Sequence, residues 1–184
     1  MKLSSKRAIF FDKDGTLNYS VFWKDKYRAP RKVSETFFYK GLTEKFQILN
    51  ELDFLIFLVT NQPDISNGDI DTINYSGIVN HIKKNFDIVE VATCVHPSKQ
   101  QCLCRKPSPK MLFDLSSKHN IELKNSWMIG DRISDIKAGK LAGCKTILIR
   151  RESDVFSMYD SKPDHLASST SDAILRILEE HNNS

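Results

Sequence analysis

Two aspartates stand two residues apart in Phe10-Phe11-Asp12-Lys13-Asp14-Gly15-Thr16, where a short apolar run ends. Carboxylates this close repel each other unless a cation intervenes. A hard divalent ion such as Mg²⁺, which prefers oxygen ligands, suits them. Gly15 lets the backbone turn sharply. An ordinary Asp-Gly turn is the plainer explanation for D-G-T taken alone. Met128-Ile129-Gly130-Asp131-Arg132-Ile133-Ser134-Asp135 shows a related pattern. Asp131 leaves an apolar run, and Asp135 follows one helical turn later. Asp135 also fits a helix N-terminus, where the dipole favours negative charge. Thr60 and Asn61 close a third apolar run with a hydroxyl and an amide, able to hold phosphate oxygens or to form a polar turn. In Cys104-Arg105-Lys106-Pro107, Lys106 could bring positive charge to a phosphoryl group, and Arg105 could grip a second anion bidentately. An isolated Arg-Lys pair otherwise belongs to a solvated surface.

Cys94, His96, Cys102 and Cys104 form a second constellation, and Cys144 stands apart from it. Three thiolates and one imidazole make a complete tetrahedral zinc set, which points to a closed structural site. Incidental buried cysteines are the alternative. Cys144, ahead of an apolar run, is expected in the core.

The elements that must position these groups alternate in type. Strands are predicted at Ala8–Asp12, Phe54–Thr60, Ile88–Thr93, Trp127–Gly130 and Thr146–Ile149. Helices are predicted from Leu42 to about Leu52, over Ile70–Asn85 and Pro109–His119, near Ile133–Ala142, and from a cap at Thr170 or Ser171 to near Glu180. Continuous apolar runs such as FLIFLVT mark strands buried on both faces. The alternation predicts a mostly parallel α/β sheet covered by helices on both sides. Ligands bind such sheets at the carboxyl ends of the strands, and Asp12, Asp14, Thr60, Asn61, Cys94, His96 and Asp131 all fall there.

The chain has 184 residues, 40% hydrophobic and 27% charged, with a net charge of +4. That fits one domain over 1–184 with a sizeable core. The mild basicity favours small anions over nucleic acid. No apolar run reaches the roughly 18 residues of a membrane span, and the N-terminal apolar stretch is too short for a signal-peptide core. A cytoplasmic location with reduced thiols is expected.

Together, the D-x-D-G-T block, Thr60-Asn61-Gln62, Lys106 and the late G-D-x-x-x-D resemble the haloacid dehalogenase superfamily of phosphohydrolases. The resemblance implies a three-layer Rossmann-like fold, without a large cap domain in a chain of this layout. It implies that Asp12 attacks phosphorus, and that Asp14 protonates the leaving oxygen and then activates water. It implies Mg²⁺ held by Asp12, the backbone carbonyl of Asp14, and Asp131, with Asp135 supporting the metal's water. Thr60, Asn61 and Lys106 would bind the phosphoryl group, and Arg105 a further anion.

The run C-x-H…C-x-C-R-K-P is similar to a zinc-bearing subgroup holding heptose 1,7-bisphosphate 7-phosphatases of surface-polysaccharide precursor synthesis and histidinol-phosphate phosphatases. The heptose branch is the nearer, and it implies a small phosphorylated metabolite as partner; a monomer is expected. Lys110 replaces that branch's usual glycine, Pro63–Gly68 departs from its S-G-I-A-R-G, and Lys26–Arg31 departs from its G-Y-V stretch. Arg28, Arg31 and Lys32 are candidate replacement contacts or a solvated basic loop. The segments Tyr19–Lys40, Pro63–Gly68 and the cysteine loop are expected to close the site. A zinc-stabilised module that binds nucleic acid or processes its ends is the alternative of another class. It would leave the four aspartates unexplained.

Overall fold

The computed structural model describes residues 5–97, 99–150 and 161–183. Among them, six parallel strands form one sheet: β1 (Arg7–Phe11), β4 (Phe54–Asn61), β5 (Glu90–Cys94), β6 (Trp127–Gly130), β7 (Lys145–Ile149) and β8 (His165–Ala167). Their spatial order is β5-β4-β1-β6-β7-β8, with β1 central. A separate antiparallel hairpin pairs β2 (Val21–Trp23) with β3 (Lys26–Arg28). The helices are α1 (Leu42–Glu51), α2 (Pro63–Ser66, one turn), α3 (Thr72–Phe86), α4 (Lys110–His119), α5 (Ile133–Ala142) and α6 (Thr170–Asn182).

The apolar runs become strands because successive side chains point to opposite faces and both faces are covered. Ile9 and Phe11 of β1 join Ile56 and Leu58 of β4, and Trp127 and Ile129 of β6, under α1, α3 and α6. Ala8, Phe10, Phe57, Val59 and Met128 face the other way, onto α4 and α5. The result is the predicted three-layer α/β arrangement. Gly139 lets α5 lie close to the sheet, because a Cβ there would come within 2.7 Å of both Met128 Cβ and Thr146 Cγ2.

The last helix differs at both ends from the expectation. Ser169 caps α6, accepting from Asp172 N at 3.1 Å, and the helix runs to Asn182. Thr170 is the first helical residue, and its hydroxyl donates instead to Thr16 O, tying α6 to the D-x-D-G-T loop. Tyr19–Lys40 carries the β2–β3 hairpin rather than loop alone. No large cap is inserted among the described residues, and none of their helices is long and apolar enough to cross a membrane.

Candidate active site

β1 stands where the chain's progress across the sheet reverses, with β4 on one side and β6 on the other. This is the crevice at which open α/β sheets bind ligands. A cavity of about 440 Å³ opens there, and Asp12, Asp14, Thr60, Asn61, Arg105, Lys106 and Asp135 all line it.

Lys106 is almost fully buried. Its Nζ donates to Asp12 Oδ1 at 2.6 Å and to Val59 O at 2.6 Å, and pairs with Asp135 Oδ1 at 2.7 Å. Burial alone would lower the ammonium's pKa, but these two carboxylates raise it, so it stays charged. Burial pushes the Asp12 carboxyl up to about 6, opposed by Lys106 and assisted by Asp135 and Asp14. Asp131 completes the group: one carboxylate oxygen from each of Asp12, Asp131 and Asp135 lies within 4.8 Å of the others. An oxygen cluster of this kind fits a hard divalent cation. The other oxygen of Asp135 accepts from Arg132 N at 3.0 Å, so the residue also caps α5.

Asp14 has a different environment. Its Oδ1 accepts from Lys13 Nζ at 2.5 Å and Asn18 Nδ2 at 2.9 Å, and its Oδ2 accepts from Gln62 Nε2 at 2.6 Å. Burial would raise this carboxyl, but Lys13 and the three hydrogen bonds hold it below its ordinary range. The two aspartates of one motif are thus pushed in opposite directions.

Asn61 uses its amide on the backbone of Lys106, donating to Lys106 O at 3.1 Å and accepting from Lys106 N at 3.0 Å. Thr60 Oγ1 accepts from Gln62 Nε2 at 3.1 Å. Arg105 donates to His96 O at 3.4 Å and lines the cavity beside Arg132.

The second constellation also converges. Cys94 Sγ lies 3.5 Å from His96 Nδ1 and 3.7 Å from Cys102 Sγ, and Cys104 Sγ lies 3.2 Å and 3.9 Å from the same two atoms. A tetrahedron built on bonds of about 2.3 Å has edges of about 3.8 Å, so the four donors match one tetrahedral ion. Cys144 is buried in the core, as expected. The remaining histidines have structural contacts: His119 pairs with Glu90, His165 with Glu180, His181 with Arg7, and His81 stacks on Phe38.

Of the three basic candidates in the hairpin segment, Arg28 lines the cavity, with its guanidinium bidentate on Glu35 at 2.9 and 3.2 Å. Arg31 pairs instead with Asp64 at 3.5 Å and Asp69 at 2.9 Å, fastening the hairpin segment to the loop after β4. Lys32 reaches Glu35 at 3.9 Å. Sequence reasoning passed over Lys13, Asn18 and Gln62 around Asp14, and Arg132 on the cavity wall. The signal for Gln62 was its spacing, since residues two apart at a strand end share a side with Thr60.

The HAD-hydrolase-like family model matches residues 103–173. The chain is 30% identical to the D-glycero-β-D-manno-heptose-1,7-bisphosphate 7-phosphatase of Helicobacter pylori strain 26695, over 80% of this chain and 85% of that one. It is 31% identical to the enzyme of the same name from Pasteurella multocida, over 79% and 82%. It is 28% identical to the α-anomer 7-phosphatase of Campylobacter jejuni, over 83% and 90%. The solved D,D-heptose 1,7-bisphosphate phosphatase from B. bronchiseptica, complexed with magnesium and phosphate, superposes with a TM-score of 0.79 at 21% identity, over 95% of this chain and 99% of that one. With the aspartate cluster at the sheet's crevice, these likenesses place the chain in the haloacid dehalogenase-like phosphatase family, on the branch that contains the heptose-bisphosphate 7-phosphatases.

Proposed function

We propose that this protein removes the 7-phosphate from D-glycero-D-manno-heptose 1,7-bisphosphate, or a closely similar sugar bisphosphate, through an aspartyl-phosphate on Asp12. The observation that carries the reading is the buried carboxylate of Asp12 on a cavity wall shared with Asp14 and Lys106. Relatives at about 30% identity that bear the heptose name support the substrate.

In the first step an Asp12 oxygen bonds to phosphorus as the bond from phosphorus to the sugar oxygen breaks, and Asp14 gives that oxygen a proton. The phosphate dianion arriving beside Asp14 raises its proton affinity, which offsets the hold of Lys13. In the second step Asp14 takes a proton from water, the water oxygen bonds to phosphorus, and the bond to Asp12 breaks. Thr60 and Lys106 hold the phosphoryl oxygens, and Asn61 serves that grip through Lys106. Arg105, with Arg132 nearby, suits the second phosphate of a bisphosphate. The acidic cluster fits Mg²⁺, with Asp12, the Asp14 carbonyl and Asp131 as ligands and Asp135 supporting its water. When bound, the ion neutralises charge on the transferring group. Cys94, His96, Cys102 and Cys104 fit a structural Zn²⁺. The reading takes 1–184 as one phosphatase domain working as a cytoplasmic monomer on a small metabolite in surface-polysaccharide precursor synthesis.

The test is phosphate release from a panel holding both anomers of the heptose bisphosphate, histidinol phosphate and common sugar phosphates. Mg²⁺-dependent activity with the highest kcat/KM on a heptose bisphosphate is expected, and Asp12→Asn should reduce it to background. Activity that survives Asp12→Asn overturns the nucleophile, and a preference for histidinol phosphate overturns the substrate.

A further inference from the structure

Asp14 has an unequal distribution of donors. An ionised carboxylate offers about four lone-pair positions, two per oxygen. Lys13 and Asn18 take both positions on Oδ1, and Gln62 takes one of the two on Oδ2. Among the described residues no second donor reaches Oδ2, and Asp14 lines the cavity. Gln62 is itself held from three directions. Its side chain is almost wholly buried, its second amide hydrogen goes to Thr60 Oγ1 at 3.1 Å, and its backbone N–H donates to Cys94 O at 2.7 Å.

We propose that Gln62 is a positioning residue for proton transfer. By occupying one lone pair of Asp14 Oδ2, it leaves a single place for the transferable proton, and by bridging to Thr60 it sets that place relative to the phosphate. The inference rests on the reading of Asp14 as the acid for the leaving oxygen. In the step it serves, the proton on Asp14 Oδ2 passes to the sugar oxygen as the phosphorus–oxygen bond breaks. The electron pair of that bond becomes the new O–H bond, and Asp14 is left ionised. Gln62 holds the oxygen that gives the proton and neither gives nor takes a proton itself, so it acts through Asp14.

This role depends on the leaving group in a way that a merely structural role does not. A sugar alkoxide needs the proton, whereas p-nitrophenolate leaves without it. The experiment measures kcat/KM, which reports steps through leaving-group departure, for Gln62→Met on two substrates: a sugar phosphate that the wild type hydrolyses, and p-nitrophenyl phosphate. General acid catalysis contributes roughly 10²- to 10⁴-fold, so losing its aim should cut the sugar phosphate value about 10- to 100-fold. The p-nitrophenyl phosphate value should stay within about threefold. Gln62→Asn keeps the amide but falls short of Asp14. It should shift the ratio in the same direction, and it carries the test if the Met variant does not fold. Equal losses on both substrates, or no loss on either, overturn the proposal. Wild type inactive on both would instead overturn the phosphatase reading.

Discussion

Lys106 and Asp12 form a buried ion pair, Nζ to Oδ1 at 2.6 Å, on the wall of the cavity, and the same ammonium reaches Asp135 at 2.7 Å. One cation thus serves two carboxylates whose charges would otherwise face each other out of water. Removing one partner of a buried pair costs more than the pair itself contributes, because it strands a desolvated charge. Lys106→Met should therefore lower the metal-free protein's unfolding free energy by about 3–5 kcal/mol, measured by urea denaturation, and should abolish phosphate release. Adding Asp12→Asn should restore part of the stability and none of the activity. Full stability of the single variant would contradict the pairing.

Asp12 also makes the metal-free protein sensitive to pH. Burial lifts its carboxyl from 3.8 to about 6 on folding, with Lys106 opposing the rise. The folded state therefore binds this proton more tightly than the unfolded state. Above pH 6 the group lowers stability, and that deficit disappears as pH falls toward 3.8. Without metal, Asp12→Asn should be the more stable protein at about pH 7.5, with the gap closing near pH 4.5. Proton and metal compete for the same oxygens, so calorimetric titration should show Mg²⁺ affinity weakening below about pH 6.

Gly130 is needed for a reason separate from backbone freedom. A Cβ placed on it would overlap the carboxylate of Asp135. Gly130→Ala should push that side chain away from Lys106 and from the Arg132 amide. The expected cost is about 1–3 kcal/mol, as for other overpacked sites, with weaker Mg²⁺ binding and lower kcat. Unchanged Mg²⁺ binding in a folded Gly130→Ala protein would argue against Asp135 as the metal's support.

The cysteine loop should carry one zinc per chain, measurable by elemental analysis. An ion at a thousand times its dissociation constant stabilises by about 4 kcal/mol. Cys104→Ser or a strong chelator should lower the melting temperature accordingly. Because Lys106 follows Cys104 by two residues, activity should fall with zinc content even when Mg²⁺ is saturating. A zinc-free protein that is equally stable would refute the structural role.

The sheet was readable because β1, β4 and β6 are buried on both faces, so their runs are apolar throughout and leave little room for another reading. The β2–β3 hairpin was not. Its turn is Lys24-Asp25, both at positive φ (44° and 60°), where glycine or asparagine would have announced it. The start of α6 was blurred by Ser168, Ser169, Thr170 and Ser171, four adjacent hydroxyl residues that could each cap a helix; the docking of Thr170 on Thr16 decides among them. The aspartates that gather at the crevice, Asp12, Asp131 and Asp135, were visible as motifs. The partners of Asp14 were not, since Gln62 meets it only when the end of β4 is set beside the loop after β1. The bond between Arg31 and Asp69 is likewise a product of folding, joining two loops far apart in sequence.

Asn61, the last residue of β4, and Gln62 after it hold the cysteine loop at both of its roots. Gln62 N–H binds Cys94 O where the loop departs, and the Asn61 amide brackets the Lys106 backbone where it returns. A loop pinned at its roots leaves its interior free to change in length and composition while Lys106 keeps its address. Substitutions confined to the interior of that loop should therefore leave Lys106 seated against Asp12 and Val59.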